Sequence, residues 1–147
     1  MNIFRVTIDH LDHLASLYDQ YRQFYEQKPD LEACRNFLFE RIRNNESVIF
    51  VAQQGHGEAV GFTQLYSSYC SVEMEKLIYL YDLFVAPQAR RQGVARALMD
   101  AARQYAVSCG AGRLQLETAV TNHPGRKLYE SLGWERDDEF YTYHLAL

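Results

Sequence analysis

The order of apolar patterns along this chain predicts an α/β domain with a mixed sheet. Two observations carry that expectation. Residues 47–54 and 59–66 read as paired strands around Gln54-Gly55-His56-Gly57, a hairpin turn. After them come strand, helix, strand, helix and strand. No linker, repeat or low-complexity stretch divides residues 1–147, so one domain is expected over the whole length.

Each element has its own signal. Residues 2–7 alternate Ile3, Arg5 and Thr7 against Phe4 and Val6, a short first strand. Thr7 or Asp9 can cap a first helix, in which Leu11, Leu14, Ala15, Leu17, Tyr18 and Tyr21 recur at helical spacing. Phe24, Tyr25 and Glu26 end that helix and Lys28-Pro29-Asp30 breaks it. Asp30 caps a second helix from 31 to about 44, with Phe37, Leu38 and Ile42 inward. Residues 67–73 read as a loop and 75–85 as a long strand stopped by Pro87, because proline cannot donate to a sheet ladder. Val94, Ala97, Leu98, Ala101 and Tyr105 share one face of a helix that runs to about Cys109 and stops at Gly110. Residues 113–118 alternate as a strand. Asn122 caps a short helix over 123–132, with Pro124 in its first turn and Gly133 after it. Residues 134–147 read as a last strand, or as two broken at Asp137-Asp138-Glu139.

Composition narrows the function classes. Of 147 residues, 48% are hydrophobic and 23% charged, which is globular and not disordered. The net charge of −4 argues against sequence-independent nucleic-acid binding. No run approaches the ~18 apolar residues of a membrane span. The first ten residues lack a signal peptide's apolar block. Cys34, Cys70 and Cys109 are odd in number and far apart, so no disulfide frame or metal set is expected, and a reducing cytoplasm is the simple inference. The 11 tyrosines suit either ordinary packing or a pocket with apolar walls and polar tips.

The densest signal is VAPQARRQGVARALMD, residues 85–100. An apolar strand turns into a helix that opens on Gly93. The first amides of a helix have no carbonyl partner and carry partial positive charge, so an anion is held there by backbone N–H groups. Gly93 lets the backbone approach a bulky phosphate, and Ala95 is small enough to allow it. Arg90, Arg91 and Arg96 add positive charge. Residue chemistry alone gives a diphosphate site at a strand-to-helix junction, or else a helix start with solvated arginines. A P-loop is excluded, because no Gly-Lys-Ser/Thr follows the turn.

Arg90-x-x-Gly93-x-Ala95 also resembles motif A of the GNAT superfamily of acyl-CoA N-acyltransferases, Gln/Arg-x-x-Gly-x-Gly/Ala. Many relatives have Arg-Gly where this chain has Arg90-Arg91. Asn122-x-x-Gly125-x-x-Leu128-Tyr129-x-x-x-Gly133-Trp134 resembles motif B, with Gly125 in place of a common alanine and Trp134 in place of phenylalanine. Two motifs in order, with the hairpin and helices before them, extend the resemblance over nearly the whole chain. Residues 78–85 are also similar to the strand before motif A in spermidine/spermine N-acetyltransferases and small related bacterial enzymes.

The resemblance implies a GNAT fold: a single domain whose mixed, mostly antiparallel sheet splays at an acetyl-CoA slot, with helices on both faces. It implies direct acetyl transfer from acetyl-CoA to a primary amine of a small molecule or lysine-like acceptor. The cofactor-binding set would be Leu83, Phe84, Val85, Arg90, Arg91, Gln92, Gly93, Val94, Ala95, Arg96, Asn122, Gly125 and Tyr129. A backbone N–H near Leu83 or Phe84 would polarise the acetyl carbonyl. Tyr129 matches the family's general acid, against the plainer reading of a packed tyrosine. The base is open. The polyamine branch has glutamate where this chain has Tyr81. Asp82 would face away on a regular strand unless a bulge re-aims it. Glu117 is the other candidate, through water, and both carboxylates also read as structural. His123 more simply begins a helix.

On the acceptor side, Tyr21, Tyr25, Glu26 and Tyr81 are the candidates. Tyr21 and Tyr25 are four apart and share a helix face, which either attracts an ammonium group or belongs to the core. The resemblance also leaves room for a homodimer. A non-catalytic acetyl-CoA sensor is the competing class: Tyr129 favours the enzyme, and Tyr81 in place of glutamate favours the sensor.

Overall fold

A computed structural model describes residues 1–55 and 57–147. The hairpin turn expected around His56 therefore includes a residue outside those described. The chain forms two compact units, Met1–Leu116 and Glu117–Leu147.

The first unit holds one sheet. Its strands are β1 (Asn2–Arg5), β2 (Val48–Gln54), β3 (Glu58–Cys70), β4 (Glu75–Val85) and β5 (Arg113–Gln115), in the order β1-β2-β3-β4-β5. All neighbours are antiparallel except β4 and β5, which run parallel. The expected mixed, mostly antiparallel sheet is therefore present. Between β1 and β2 lie α1 (Leu11–Phe24) and α2 (Leu31–Arg43), and between β4 and β5 lies α3 (Val94–Ser108).

Alternation on the strands assigns the faces. Ile49, Val51, Phe62 and Phe84 join Leu11, Leu14, Leu17 and Leu38 in a cluster under α1 and α2. Ala52 and Val60 join Val94 and Leu98 under α3, with Phe50, Leu83 and Val85 packed against them. Helices thus cover both faces. Gly61 sets how closely α3 approaches, since a Cβ there would lie 2.9 Å from the Phe84 carbonyl oxygen and 3.0 Å from a Val94 methyl.

Helix ends follow their local chemistry. The Asp30 carboxylate accepts the Ala33 N–H at 3.0 Å and starts α2. Buried Cys34 and Leu38 form the inner face of α2 and Ile42 packs against the same core, as expected for Leu38 and Ile42, whereas Phe37 is 40% exposed. α1 stops at Phe24: Glu26 takes a left-handed backbone, φ 61°, and the N–H groups of Glu26 and Gln27 return to Gln23 and Arg22. Gly110, φ 72°, follows α3 as expected.

Three strand expectations need correction. The loop expected from residue 67 is ladder as far as Cys70, because Ser67, Ser68, Tyr69 and Cys70 pair with Ile78, Leu77, Lys76 and Glu75. A strand partner overrides weak local alternation. β5 ends at Gln115 and not 118, since β4 supplies partners only for Arg113, Leu114 and Gln115. Among the described residues, no strand forms within 134–147. The alternation is there, but a strand requires a ladder and these residues have none.

In the second unit, α4 (His123–Ser131) is capped by Asn122, whose side-chain oxygen accepts the Gly125 N–H at 3.2 Å. Among the described residues, no helix is long and apolar enough to cross a membrane.

Candidate active site

The second half of β4 sets the geometry. β5 pairs with Leu77, Ile78 and Tyr79 and then stops, while β4 continues to Val85. Residues 80–85 are therefore laddered to β3 on one side, and no strand of the described residues pairs with the other. The sheet is thus unclosed beside Leu83, Phe84 and Val85. Phe84 is 6% exposed, so only its main chain is available to a ligand, and the Val85 carbonyl accepts the Arg90 Nε–H at 3.0 Å.

A bulge sits at the start of the open half. Leu65 pairs with Leu80 and Gln64 with Asp82, so Tyr81 is one residue extra. On a regular strand Asp82 would share a face with Leu80. The bulge moves it to the face of Phe62, Phe84 and α1, the re-aiming that the sequence required for a catalytic Asp82. Tyr81 is 66% exposed, with its ring 5.5 Å from Tyr66.

Asp82 is 7% exposed and held on several sides. Gln64 Nε2 donates to Asp82 Oδ2 at 2.8 Å, Ser47 Oγ donates to Gln64 Oε1 at 2.9 Å, and the Thr63 hydroxyl donates to the Asp82 carbonyl at 2.8 Å. Burial pushes the carboxyl above the usual carboxylate range, and the amide of Gln64 and the phenol of Tyr21 pull partly against that. Tyr21 and Tyr66 are shifted upward, first by burial and then by the Asp82 charge. Gln64 was missed in the sequence. Its signal was a lone amide inside the apolar strand Gly61-Phe62-Thr63-Gln64-Leu65, since a buried amide needs partners.

Tyr21 lies half-buried over this region, its ring edge-on to Phe62 at 5.6 Å and to Tyr25 at 5.2 Å. Tyr25 is 56% exposed, and Glu26 follows on the exposed left-handed turn. Both lie just beyond the end of α1 rather than on it. The expected group of Tyr21, Tyr25 and Tyr81 thus borders the buried Asp82 carboxyl or the aromatic cluster above it.

The strand-to-helix turn carries the other candidates. Gly93 has φ 81°, a left-handed conformation with open space where a Cβ would be, and Arg91 has φ 63°. Gly93 offers no side-chain cap to α3, so the leading amides of that helix receive none from it. Arg91, Gln92 and Arg96 are exposed and Ala95 is partly so, while the Val94 side chain is buried in the core. Gln92 is engaged by Gln54 and Gln88. Arg90 is occupied as well: besides binding Val85, its guanidinium sits 5.7 Å above the Phe24 ring. Its observed part is to tie the turn to the strand.

In the second unit, Asn122 and Gly125 are committed to each other. Asn122 also donates to Thr118 at 2.9 Å, and a Cβ on residue 125 would run into the Asn122 amide. Glycine in place of the common alanine is therefore fitted to this cap. Tyr129 is partly buried, its ring 6.3 Å from that of Trp134. Glu117 is exposed and lies beyond the end of β5, not within a strand.

Comparison with known proteins agrees with this arrangement. The profile of the Acetyltransferase (GNAT) family matches residues 11–134. The chain is 43% identical over 145 residues to the "Uncharacterized N-acetyltransferase YhfO" of Bacillus subtilis, covering 99% of this chain and 97% of the relative. A "Probable acetyltransferase" of Haemophilus influenzae is 28% identical over 147 residues, covering 100% and 99%. The crystal structure of a probable acetyltransferase superposes with a TM-score of 0.93 at 40% identity, covering 100% of this chain and 98% of that one.

Proposed function

This chain belongs to the Acetyltransferase (GNAT) family, and from that premise we propose that it carries an acetyl group from acetyl-CoA directly to a primary amine of a small molecule or lysine-like acceptor. The observation that carries the reading is an open strand half, residues 80–85, leading into a helix start that Gly93 leaves uncapped. The family match spans residues 11–134 and so crosses the boundary after Leu116, in keeping with one catalytic domain over 1–147.

Acetyl-CoA, when bound, supplies an acetyl group activated on a thioester sulfur. The open turn fits its diphosphate: backbone N–H groups from Arg91 to Arg96 hold the phosphates, and the left-handed Gly93 keeps side-chain bulk away from them. Main-chain N–H groups at Leu83 or Phe84 stabilise negative charge on the acyl oxygen. The amine must lose a proton to attack, and Asp82 accepts it. Burial supports Asp82, because a raised carboxylate makes a stronger base than a solvated one. Glu117 acting through water is the alternative. Tyr129 gives a proton to the departing sulfur, supported by its place in the Leu128-Tyr129 motif.

The acceptor is a cationic amine. Rings of Tyr21, Tyr25 and Tyr81 with Glu26 suit an ammonium group by cation–π and charge attraction. Two relatives, each 26% identical and matching 97% of this chain, are named for amines of this kind. One is the "Thialysine N-epsilon-acetyltransferase" of Caenorhabditis elegans, the other the "Aminoglycoside N(6')-acetyltransferase type 1" of Salmonella typhimurium.

The test is thiol release from acetyl-CoA over a panel of polyamines, lysine analogues, aminoglycosides and neutral arylamines. Release with cationic primary amines is expected. Tyr129→Phe should lower kcat by roughly 10²–10⁴ while acetyl-CoA affinity, read by calorimetry, holds. Silence across the panel sinks the reading. Turnover of arylamines alone sinks only the cationic acceptor.

A further inference from the structure

Ser47, Gln64 and Asp82 form a chain of side chains that crosses three strands. Ser47 stands just before β2, Gln64 lies in β3 and Asp82 in β4. The bulge at Tyr81 sets Gln64 directly opposite Asp82. Gln64 is fully buried, and Ser47 and Asp82 are 9% and 7% exposed. A buried amide is costly unless both of its ends are bonded. Here both are: the Ser47 hydroxyl donates to Gln64 Oε1 at 2.9 Å, and Gln64 Nε2 donates to Asp82 Oδ2 at 2.8 Å. Packing alone would be served as well by leucine.

An amide has two ends of nearly equal size and opposite character. Its N–H end suits a charged carboxylate, and its carbonyl end suits a carboxyl that carries a proton. Ser47 gives its one hydroxyl proton to Oε1, which leaves Nε2 for Asp82. We propose that Gln64 is a positioning residue for the Asp82 base, and that Ser47 decides which end of the amide that base meets. The inference rests on Asp82 taking the proton of the acceptor amine. In that step an N–H bond of the ammonium group breaks and an O–H bond forms on the carboxyl. The nitrogen keeps the electron pair with which it attacks. Gln64 favours the carboxylate before the step and still donates to Oδ2 after it.

The other groups around the carboxyl do not imitate this effect. Tyr18 and Tyr21 of α1 and Tyr66 of β3 feel the Asp82 charge, and Cys34 of α2 acts on Tyr18. All four are pushed above their ordinary values, by burial first, so they keep their protons where Asp82 titrates. Arg22 of α1 and Arg41 of α2 act on these tyrosines and stay charged. Tyr25 and Tyr81 stand edge-on to Tyr21 and Tyr66. Gln64 pulls Asp82 toward its charged form against burial, so its loss moves the base toward the protonated form.

The test is the pH profile of kcat/KM, read by thiol release at saturating acetyl-CoA with the cationic primary amine that turns over fastest in the panel. Comparison with wild type at each pH cancels the amine's own ionisation. Gln64→Leu should move the acid limb to higher pH by about one pH unit, a loss of roughly tenfold on that limb that disappears at high pH. Ser47→Ala, which removes only a hydroxyl, should move the limb the same way by less. Ser47→Thr keeps the hydroxyl and should restore the wild-type profile. Urea melts show which variants are folded, and Ser47→Ala decides the question if Gln64→Leu is not. Profiles lowered by one factor at every pH overturn the proposal, because packing is then all that Gln64 supplies. A Ser47→Ala profile equal to wild type overturns the part given to Ser47. Asp82→Asn separates the two levels: full turnover there removes the base and this inference with it, whereas lost turnover with unshifted profiles removes this inference alone.

Discussion

The two halves of β4 are built differently. From Glu75 to Tyr79 the strand lies on the β3 ladder, and its last three residues also carry β5 on the other side. From Leu80 to Val85 it has, among the described residues, only β3 as a strand partner, with an extra residue at Tyr81 and a buried carboxyl at Asp82. The first half satisfies its backbone through neighbouring strands. The second half keeps one edge for something else and invests in side-chain hydrogen bonds, with Gln64, Ser47 and Thr63 arranged around one acidic group. Stability and chemistry are thus divided along a single strand. Substitutions in the first half should cost folding, and those in the second should cost turnover.

The largest expected effect is at Asp82. Asp82→Asn should lower kcat for the amine by about 10²–10⁴ while acetyl-CoA affinity stays level. Wild-type turnover would move the base to Glu117. The same variant has a pH signature. Burial raises the folded pKa of Asp82 above its unfolded value. Its contribution to stability is therefore complete below the unfolded pKa and is lost as pH rises through the folded one. In urea melts from pH 4 to 7, wild type should lose stability relative to Asp82→Asn. Parallel curves would show that folding does not perturb the group.

Ile78, fully buried in the paired half, is the counterpart. Ile78→Ala should cost about 2–5 kcal/mol in urea unfolding, with kcat per folded molecule unchanged. A loss of kcat without a loss of stability would erase the division. Gly61 pairs with Val85 and tests how firmly the open half is clamped from its β3 side. Gly61→Ala should cost roughly 1–3 kcal/mol, because the Phe84 carbonyl and the α3 side chains leave no room for a methyl group. An unchanged urea midpoint would mean that α3 shifts freely. The smallest effect is Tyr79→Phe, which removes the 2.6 Å bond between Gln115 Nε2 and the Tyr79 oxygen. About 0.5–1.5 kcal/mol should go, with turnover intact.

Much of this was legible in the residues. The bounds of β4 matched the expected 75–85, and the start of α3 followed from Gly93 and the helical period after it. The Asp30 and Asn122 caps were readable because capping is local chemistry. What escaped depends on partners distant in sequence. Residues 67–70 looked like loop until Glu75, Lys76, Leu77 and Ile78 supplied a ladder. Residues 134–147 looked like strand, but the described chain pairs nothing with them. The direction of Asp82 could not be fixed from β4 alone, since it depends on how β3 counts past Tyr81. How Arg90 is held, with Nε on the Val85 carbonyl and the guanidinium over Phe24, also needed the fold.

The extra residue at Tyr81 makes part of the design a matter of pairing rather than of residue identity. Pair it regularly with Gln64 and every side chain is still present, but Asp82, Leu83, Phe84 and Val85 change places across the sheet in a single step. The carboxyl would meet α3, and Leu83 would meet α1. A one-residue deletion at 81, by contrast, makes Leu80 and Asp82 neighbours on a regular ladder, still opposite Leu65 and Gln64, and keeps their faces. The parity of the open half is therefore held by the bulge itself and not by the identity of the residue in it.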